Sequence, residues 1–466
     1  MKSNLKGLEP VILAGGFGKR LWPISGPNKP KQFHSFVGKY SLFQDTLVRL
    51  KKIGFESVTV ITNRENFLLA EYQAKDIEIN CDFICEPESK NTAPALAIAA
   101  ILFEEQNKTL FVLPSDHAIS VDSSFIKTIA AASRSTAEGN IALLGVKTKE
   151  ASTSYGYINV ESNRTKEKKV KRFIEKPNVK TARKFHKSPN YYWNSGIFLI
   201  KPKVYLSELS KHCPKIYKSV KSSFSLVKEK VLIDPEKYSK CPGDSIDYAV
   251  LENSKKSVLF NLDSAWSDLG SWEEIYKASK KDAKKNVTRG DIFLMDTSNS
   301  LIFSEENPLA VIGLNEVVIL NTNDALVVSS IDGIKNITTL IKKLERGNSK
   351  LLHNSEVLKP WGNYKIILLE DGFQVKKLTI NPGHQLSLQR HKFRSEHWNV
   401  VSGKGQVIKN KKKFIIEKDQ SIYFAKEDIH SISNPFSEDL IIIEVQLGGY
   451  LGEDDIERLE DVYDRS

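Results

Sequence analysis

Two textures of apolar residues alternate along the first 270 positions. Short, nearly continuous apolar runs, "VILAGG" from Val11, "VTVIT" from Val58, "TLFVLPSDH" from Thr109 and "IALLGV" from Ile141, have the length and β-branched content of buried strands. Between them, "SLFQDTLVRLKK" from Ser41 and "NTAPALAIAAILFEEQ" from Asn91 read as helices. This alternation predicts a parallel, doubly wound α/β sheet, a Rossmann-like arrangement whose ligands bind at the carboxyl ends of the strands. Gly15 to Arg20 and Ser115 to His117 directly follow predicted strands, so a site is expected there.

The texture changes after about Trp272. From Asp291 to Ser330 very short strands, "DIFLM", "SLIF", "LAVIGL", "EVVIL" and "ALVVS", are separated by Asn, Asp, Ser and Gly. That spacing suits a small β-solenoid or meander, a β-helix-like spacer, followed by the helix "ITTLIKKLERGN" with Gly347 as its stop. From about Val357 the strand-like runs "YKIILLE", "FQVKKLTI", "HWNVVSG", "QVIKN", "KFIIE", "QSIYF" and "LIIIEVQ" predict a sandwich or barrel. The expected units are 1–285, 286–346 and 347–466.

Composition narrows the class. The chain has 466 residues, 40% hydrophobic and 27% charged, normal for a water-soluble protein of two or three domains. Its most apolar windows, "ALAIAAILF" and "LIIIEV", fall far short of the ~20 residues that span a bilayer. The start "MKSNLKGLEP" does not read as a secretory signal, so a cytoplasmic location is expected. Cys81, Cys85, Cys213 and Cys241 are too few for a disulfide framework, although Cys81 and Cys85 meet if they share a helix face. The net charge of +11 comes without any nucleic-acid module, and small anionic substrates account for it equally well.

The turn "GGFGKRLWPISGPNKPKQF" fits neither familiar phosphate loop. Leu21 stands where a dinucleotide fingerprint needs its third glycine, and Leu13 where a P-loop needs its first. What remains is Gly15, Gly16 and Gly18 leaving a strand, followed by Lys19, Arg20, Lys29 and Lys31, a pattern in which backbone N–H groups and cations can cradle a phosphate.

This segment resembles the sugar nucleotidyltransferases, and its Trp-Pro with Pro-Lys-Gln-Phe is similar to the mannose-1-phosphate guanylyltransferase branch. The segments "EPESKNTAPA", "LPSDH", "YGYI", "FIEKP", "WNSGIF", "SIDYAVLE" and "WSDLGSW" continue the resemblance in order to Trp272. It implies a GT-A-like nucleotidyltransferase fold and transfer of GMP from GTP to mannose 1-phosphate, giving GDP-mannose and pyrophosphate for polysaccharide synthesis. It implies that Gly15, Gly16, Gly18 and Arg20 hold the triphosphate, with Lys31 on the departing pyrophosphate. Glu86, Asn91, Thr92 and Pro94 would face the guanine. Tyr155, Gly156, Glu175, Lys176, Asn194 and Gly196 would face the sugar phosphate, and Asp116 and Asp268 would hold Mg²⁺. Lys19, Gly26 and Lys90 depart from the family pattern.

The last third resembles the phosphomannose isomerase half of the bifunctional type II enzymes. It carries "PGHQLSLQRHKFRSEHWNVVSGKG", "KPWGNY" and the tail "IEVQLGGYLGEDDIERLEDVYDR". The resemblance implies a cupin β-barrel that interconverts fructose 6-phosphate and mannose 6-phosphate. Gln389, His391, Glu396 and His430 would bind Zn²⁺ or another divalent first-row metal, and Arg394 and Arg458 the substrate phosphate. Lys392 and Phe393 replace two histidines of the family, and Asp419, Ala425 and Glu427 stand where Gly, Pro and Gly are usual. The acidic run "GEDDIER" is alternatively a solvated helix start. Two other readings stay open, a transferase with a purely structural cupin and a non-catalytic nucleotide-sugar sensor. No nucleic-acid or membrane partner is expected, and homodimerisation is left open.

Overall fold

The computed structural model describes residues 5–16, 19–26, 30–162, 165–228, 230–305, 307–347, 356–359 and 361–460. Nine strands form the first sheet: β1 (Leu8–Leu13), β2 (Ser57–Asn63), β3 (Asn80–Glu86), β4 (Thr109–Pro114), β5 (Ile141–Lys147), β6 (Tyr157–Val160), β7 (Glu167–Ile174), β8 (Tyr191–Ile200) and β9 (Ser257–Asn261). Their order is β3-β2-β1-β4-β8-β5-β9-β7-β6.

The sheet is mixed, which corrects the all-parallel expectation. β1 to β4 pair in parallel, as do β5 and β9, but β8 runs antiparallel to both β4 and β5. β8 therefore brings Asn194 and Gly196 back towards the carboxyl end of β4. Short apolar runs specify burial but not direction, so the reversal was invisible in the pattern.

Helices cover both faces. α1 (Leu42–Ile53) starts with a full capping box, Ser41 accepting from the Gln44 N–H and Gln44 accepting from the Ser41 N–H, and stops at Gly54 with φ 104°. α2 (Phe67–Lys75) lies beside it in sequence, and α3 (Thr92–Leu102) is buried along nearly all its apolar length. Cys81 and Cys85 lie on strand β3, not on a helix, and burial pushes both thiols up to about 11.

The spacer is a small parallel coil of β10 (Val287–Arg289), β11 (Ile292–Met295), β12 (Leu301–Ser304), β13 (Leu309–Ile312), β14 (Val317–Asn321) and β15 (Leu326–Ser330). β10, β12 and β14 stack in parallel on one side and β11 with β13 on another, while β15 closes antiparallel to β14. Its Leu301, Phe303, Val318 and Leu320 share one apolar core with Leu21, Trp22, Phe36 and Trp272 of the first unit.

The remaining strands are β16 (Glu356–Lys359), β17 (Gly362–Glu370), β18 (Phe373–Ile380), β19 (Leu388–His391), β20 (Arg394–Ser402), β21 (Lys404–Lys409), β22 (Lys412–Glu417), β23 (Ser421–Phe424), β24 (His430–Ser433), β25 (Leu440–Gly448) and β26 (Ile456–Glu460). They form two facing sheets, β16-β17-β18-β25-β20-β23 and β22-β21-β24-β19-β26, around a core including Trp361, Trp398, Phe424 and Ile442. The acidic run is a single turn, Glu453–Asp455, leading into β26 rather than a longer helix. Among the described residues no helix is long and apolar enough to cross a membrane.

Candidate active sites

The carboxyl ends of β1, β3 and β4 open onto a cavity of about 510 Å³. Gly15, Gly16, Glu86, Asn91, Thr92, Asp116 and Gly196 line it, all expected from the sequence. Gly18 lies outside the described residues. Gln32 donates to the carbonyls of Ala14 and Gly16 at 3.1 and 2.9 Å, and Ser89 donates to that of Gly15 at 3.2 Å. A Cβ on Gly16 would meet nothing within 4 Å among the described residues.

Asn91 adopts φ 71° and its side chain accepts from the Thr92 N–H at 2.8 Å, capping α3, while Thr92 accepts from the Ile246 N–H at 3.0 Å. Glu86 is buried and accepts a hydrogen bond from Tyr238, but burial outweighs that bond and raises its carboxyl to about 7. Pro94 does not line the cavity; it is buried in the first turn of α3. Lys90 pairs with Glu88 at 2.9 Å and donates to the Ser239 carbonyl at 3.0 Å.

A charged cluster adjoins the cavity through Asp116; Lys31, Asp268 and Arg20 belong to it without lining the cavity themselves. Lys31, almost fully buried, donates to Asp116 Oδ2 at 2.9 Å and to the backbone carbonyl of Asp268. Burial pushes the Asp116 carboxyl upwards, yet the charge of Lys31 and its hydrogen bond hold it below its ordinary value. Asp268 accepts from Tyr155 at 3.1 Å and from the Gly270 N–H at 2.9 Å, and Arg20 Nη2 stands 3.7 Å from its other oxygen. A Cβ on Gly270 would fall 2.5 Å from Asp268 and 2.8 Å from Arg20, which explains the glycine in "DLG". Asp116 thus meets Lys31 through its carboxylate and Asp268 meets it through its backbone carbonyl, while the Asp268 carboxylate faces Arg20; carboxylate oxygens are donors that suit a hard divalent cation.

Among the residues expected from the sequence to face the sugar, Asn194 donates to Asp247 at 3.0 Å and accepts from the Gly196 N–H at 3.1 Å. Gly156 admits Glu175, whose Oε2 would lie 2.4 Å from a Cβ there, and Glu175 pairs with the exposed Lys176 at 2.8 Å. Burial, helped by the charge of Glu175, raises the Asp247 carboxyl to about 7. Asp247, Gln32 and His117 also line the cavity but were not singled out from the sequence. All three sit inside matched segments, "SIDYAVLE", "PKQF" and "LPSDH", which was the available signal.

In the barrel, one ligand atom each from His391, Glu396 and His430 lies within 4.8 Å of the others, all buried. The Nε2 atoms of His391 and His430 face Glu396 at 3.0 and 3.4 Å. Their Nδ1 atoms face the carbonyls of Asp455 at 3.5 Å and Asp428 at 2.9 Å, which places the ring protons on that side. The Nε2 lone pairs then converge on carboxylate oxygens, an arrangement that calls for a cation between them. Gln389 lies 3.5 Å from His391 Nε2, and turning its amide presents the oxygen instead. These residues therefore fit a first-row divalent metal.

Arg394 is committed to this centre, donating from Nε to Glu396 at 3.2 Å and from Nη1 to the Gly452 carbonyl at 2.8 Å. Arg458 lines the same cavity, and its buried Nε has no hydrogen-bond partner among the described residues. Lys376, Glu444, Gln446 and Glu453, unremarked in the sequence, line it too. Trp398 and Gln446 each donate to both Glu396 and Glu444, and burial raises the Glu444 carboxyl to about 8. The cavity is only about 50 Å³, room for water but not for a hexose phosphate. In its lining Glu453 bridges Lys376 at 2.9 Å and Lys359 at 3.6 Å. The side chain of Phe393 is exposed and Lys392 lies on the surface, so their departures remove no ligand. Their N–H groups instead donate to Asp455.

A glycine turn facing a Lys31–Asp116–Asp268 cluster on a mixed α/β sheet, joined by a β-helix to a barrel with a buried His-Glu-His set, defines a nucleotidyltransferase fused to a cupin. Residues 9–285 match the nucleotidyl transferase family, 290–344 the MannoseP isomerase/GMP-like beta-helix domain, and 346–461 the mannose-6-phosphate isomerase C-terminal family. The chain belongs to the bifunctional mannose-1-phosphate guanylyltransferase and mannose-6-phosphate isomerase family, type II. It is 39% identical to the alginate biosynthesis protein AlgA of Pseudomonas aeruginosa over 98% of this chain and 97% of that one. It is 38% identical to the mannose-1-phosphate guanylyltransferase RfbM of Salmonella typhimurium, over 97% and 96%. A crystal structure from Thermus thermophilus, described as a mannose-1-phosphate geranyltransferase, superposes with a TM-score of 0.64 at 25% identity, covering 73% of this chain and 99% of its own.

Proposed function

We propose that this chain transfers GMP from GTP to mannose 1-phosphate in its first unit, and interconverts fructose 6-phosphate and mannose 6-phosphate in its barrel. The observation that carries the first reading is the meeting of Lys31, Asp116 and Asp268 beneath the glycine turn and opposite the sugar-side Asn194–Asp247 pair. The acceptor phosphate oxygen attacks the α-phosphorus in line with the departing pyrophosphate, a reaction that demands positioning and charge screening more than covalent help. Gly15 and Gly16 line the cavity and would offer backbone N–H groups to phosphate, Arg20 and Lys31 would supply positive charge, and Glu86, Asn91 and Thr92 would wall the base. Mg²⁺ held by Asp116 and Asp268 would screen the phosphates. Glu175, Lys176, Asn194 and Gly196, with Tyr155 and Gly156, form the mannose 1-phosphate side.

In the barrel, a divalent metal on Gln389, His391, Glu396 and His430 would polarise the substrate carbonyl while a proton moves between C1 and C2. Arg458 is the cation best placed for the substrate phosphate, and Arg394 orients Glu396. Nucleoside triphosphate and hexose phosphates are metabolites of the cytoplasm, where we place the enzyme.

Two assays on purified full-length protein test this. With GTP, mannose 1-phosphate and Mg²⁺, pyrophosphate and GDP-mannose should form, and Asp116→Ala should abolish both; unchanged release would remove the proposed site. With fructose 6-phosphate, turnover should vanish in chelator and return with Zn²⁺, Co²⁺ or Mn²⁺. Transferase activity without isomerisation under any metal would make the barrel a structural module.

A further inference from the structure

His117 is held more tightly than a residue that merely follows Asp116 needs to be. Its backbone carbonyl accepts from the buried Arg49 at 3.0 Å, and its ring packs edge-on against Trp266 with centroids 5.5 Å apart. The indole Nε1–H of Trp266 points at His117 Nδ1 at 3.3 Å. An indole nitrogen only donates, so Nδ1 must carry a lone pair, and the single proton of a neutral ring must sit on Nε2. That Nε2 lies on the cavity side, 3.7 Å from Asp116 Oδ1, and Cε1 is 3.5 Å from where a Cβ of Gly196 would stand. The ring thus spans the gap between the proposed cation carboxylate and the proposed sugar wall.

We propose that Trp266 fixes the tautomer of His117 so that its Nε2–H donates to a phosphate oxygen of the acceptor sugar 1-phosphate. This rests on the transferase reading above. A neutral donor adds no charge beside Lys31 and Arg20, so it orients the acceptor without drawing it away from the α-phosphorus. The ring gives up no proton; its role is to set the angle from which the acceptor oxygen approaches.

Two substitutions separate the ring's two nitrogens. The amide nitrogen of glutamine reaches roughly where Nε2 stands, whereas asparagine reaches only to Nδ1 and can still accept from Trp266. His117→Gln should keep KM for mannose 1-phosphate within a few-fold of the parent. His117→Asn and His117→Ala should raise it about ten- to hundredfold, the loss of one hydrogen bond to a charged oxygen. Affinity for Mg²⁺·GTP, measured by calorimetry without acceptor, should stay within about twofold in all three, which also shows that each variant is folded. Trp266→Phe should give an intermediate rise, since the ring is then free to turn or change tautomer. If Asn preserves KM as well as Gln does, or if Ala leaves it unchanged, the inference is overturned. If the parent enzyme makes no GDP-mannose at all, it is the transferase reading that fails instead.

Discussion

Burial sets the chemistry of single residues here. Glu86 lines the cavity at the carboxyl ends of β1, β3 and β4 with its carboxyl raised from 4.5 to about 7, burial outweighing the hydrogen bond from Tyr238. Because the folded value lies above the unfolded one, its stabilising contribution is complete below the unfolded value. It is lost as pH rises from about 4.5 through about 7, in total about 3 kcal/mol. Glu86→Gln keeps an acceptor for Tyr238 and carries no charge. Its advantage over the parent in urea unfolding should therefore be small at pH 5 and approach that figure at pH 8; equal gains at both would show that the carboxyl does not titrate as described. The family departures also act through single residues. Asp419 and Glu427, where glycine is usual, both hold φ 67°, so the glycine conformation has been kept at some steric cost rather than the turn rebuilt.

Elements carry these residues into place. α1 is the support of the loop after β4, since Thr46 reaches the Ser115 carbonyl at 3.5 Å and Arg49 the His117 carbonyl at 3.0 Å. Its start depends on Ser41, which accepts from the Gln44 N–H at 3.0 Å and donates to Gln73 at 2.6 Å. Ser41→Ala should lower unfolding free energy by about 1 kcal/mol while leaving GDP-mannose synthesis at saturating substrate unchanged. A loss of turnover with unchanged stability would instead mean that the cap itself sets the loop. In the barrel, β19, β20 and β24 each supply part of the His-Glu-His set, and β25 and β26 bring Glu444, Gln446 and Arg458 around it.

For the whole molecule, the distribution of apolar cores decides which parts can stand alone. The β-helix shares a core with Leu21, Trp22, Phe36 and Trp272, whereas the barrel closes a core of its own. A chain ending at Arg346 should therefore remain monodisperse by size-exclusion chromatography and keep its transferase. One ending at Lys285 exposes that shared apolar surface and should aggregate. Comparable behaviour of the two would show that the β-helix can be removed without uncovering the core of the first unit.

The order of the three units, the position of the first candidate site after β1 and β4, and seven of the residues lining its cavity could be read from the chain, because strand ends, glycine turns and ligand spacings are local properties. Gly15, Asn91, Asp116 and Gly196 line the cavity as that reading requires. Three things were decided only by folding. β8 reverses direction, because an apolar run specifies burial but not orientation. Pro94 is buried in the first turn of α3 and Arg394 turns onto the Glu396 carboxylate, because a side chain's partner depends on what packs opposite it. The raised carboxyls of Glu86, Asp247 and Glu444 come from desolvation by segments distant in sequence, a quantity that no local pattern encodes.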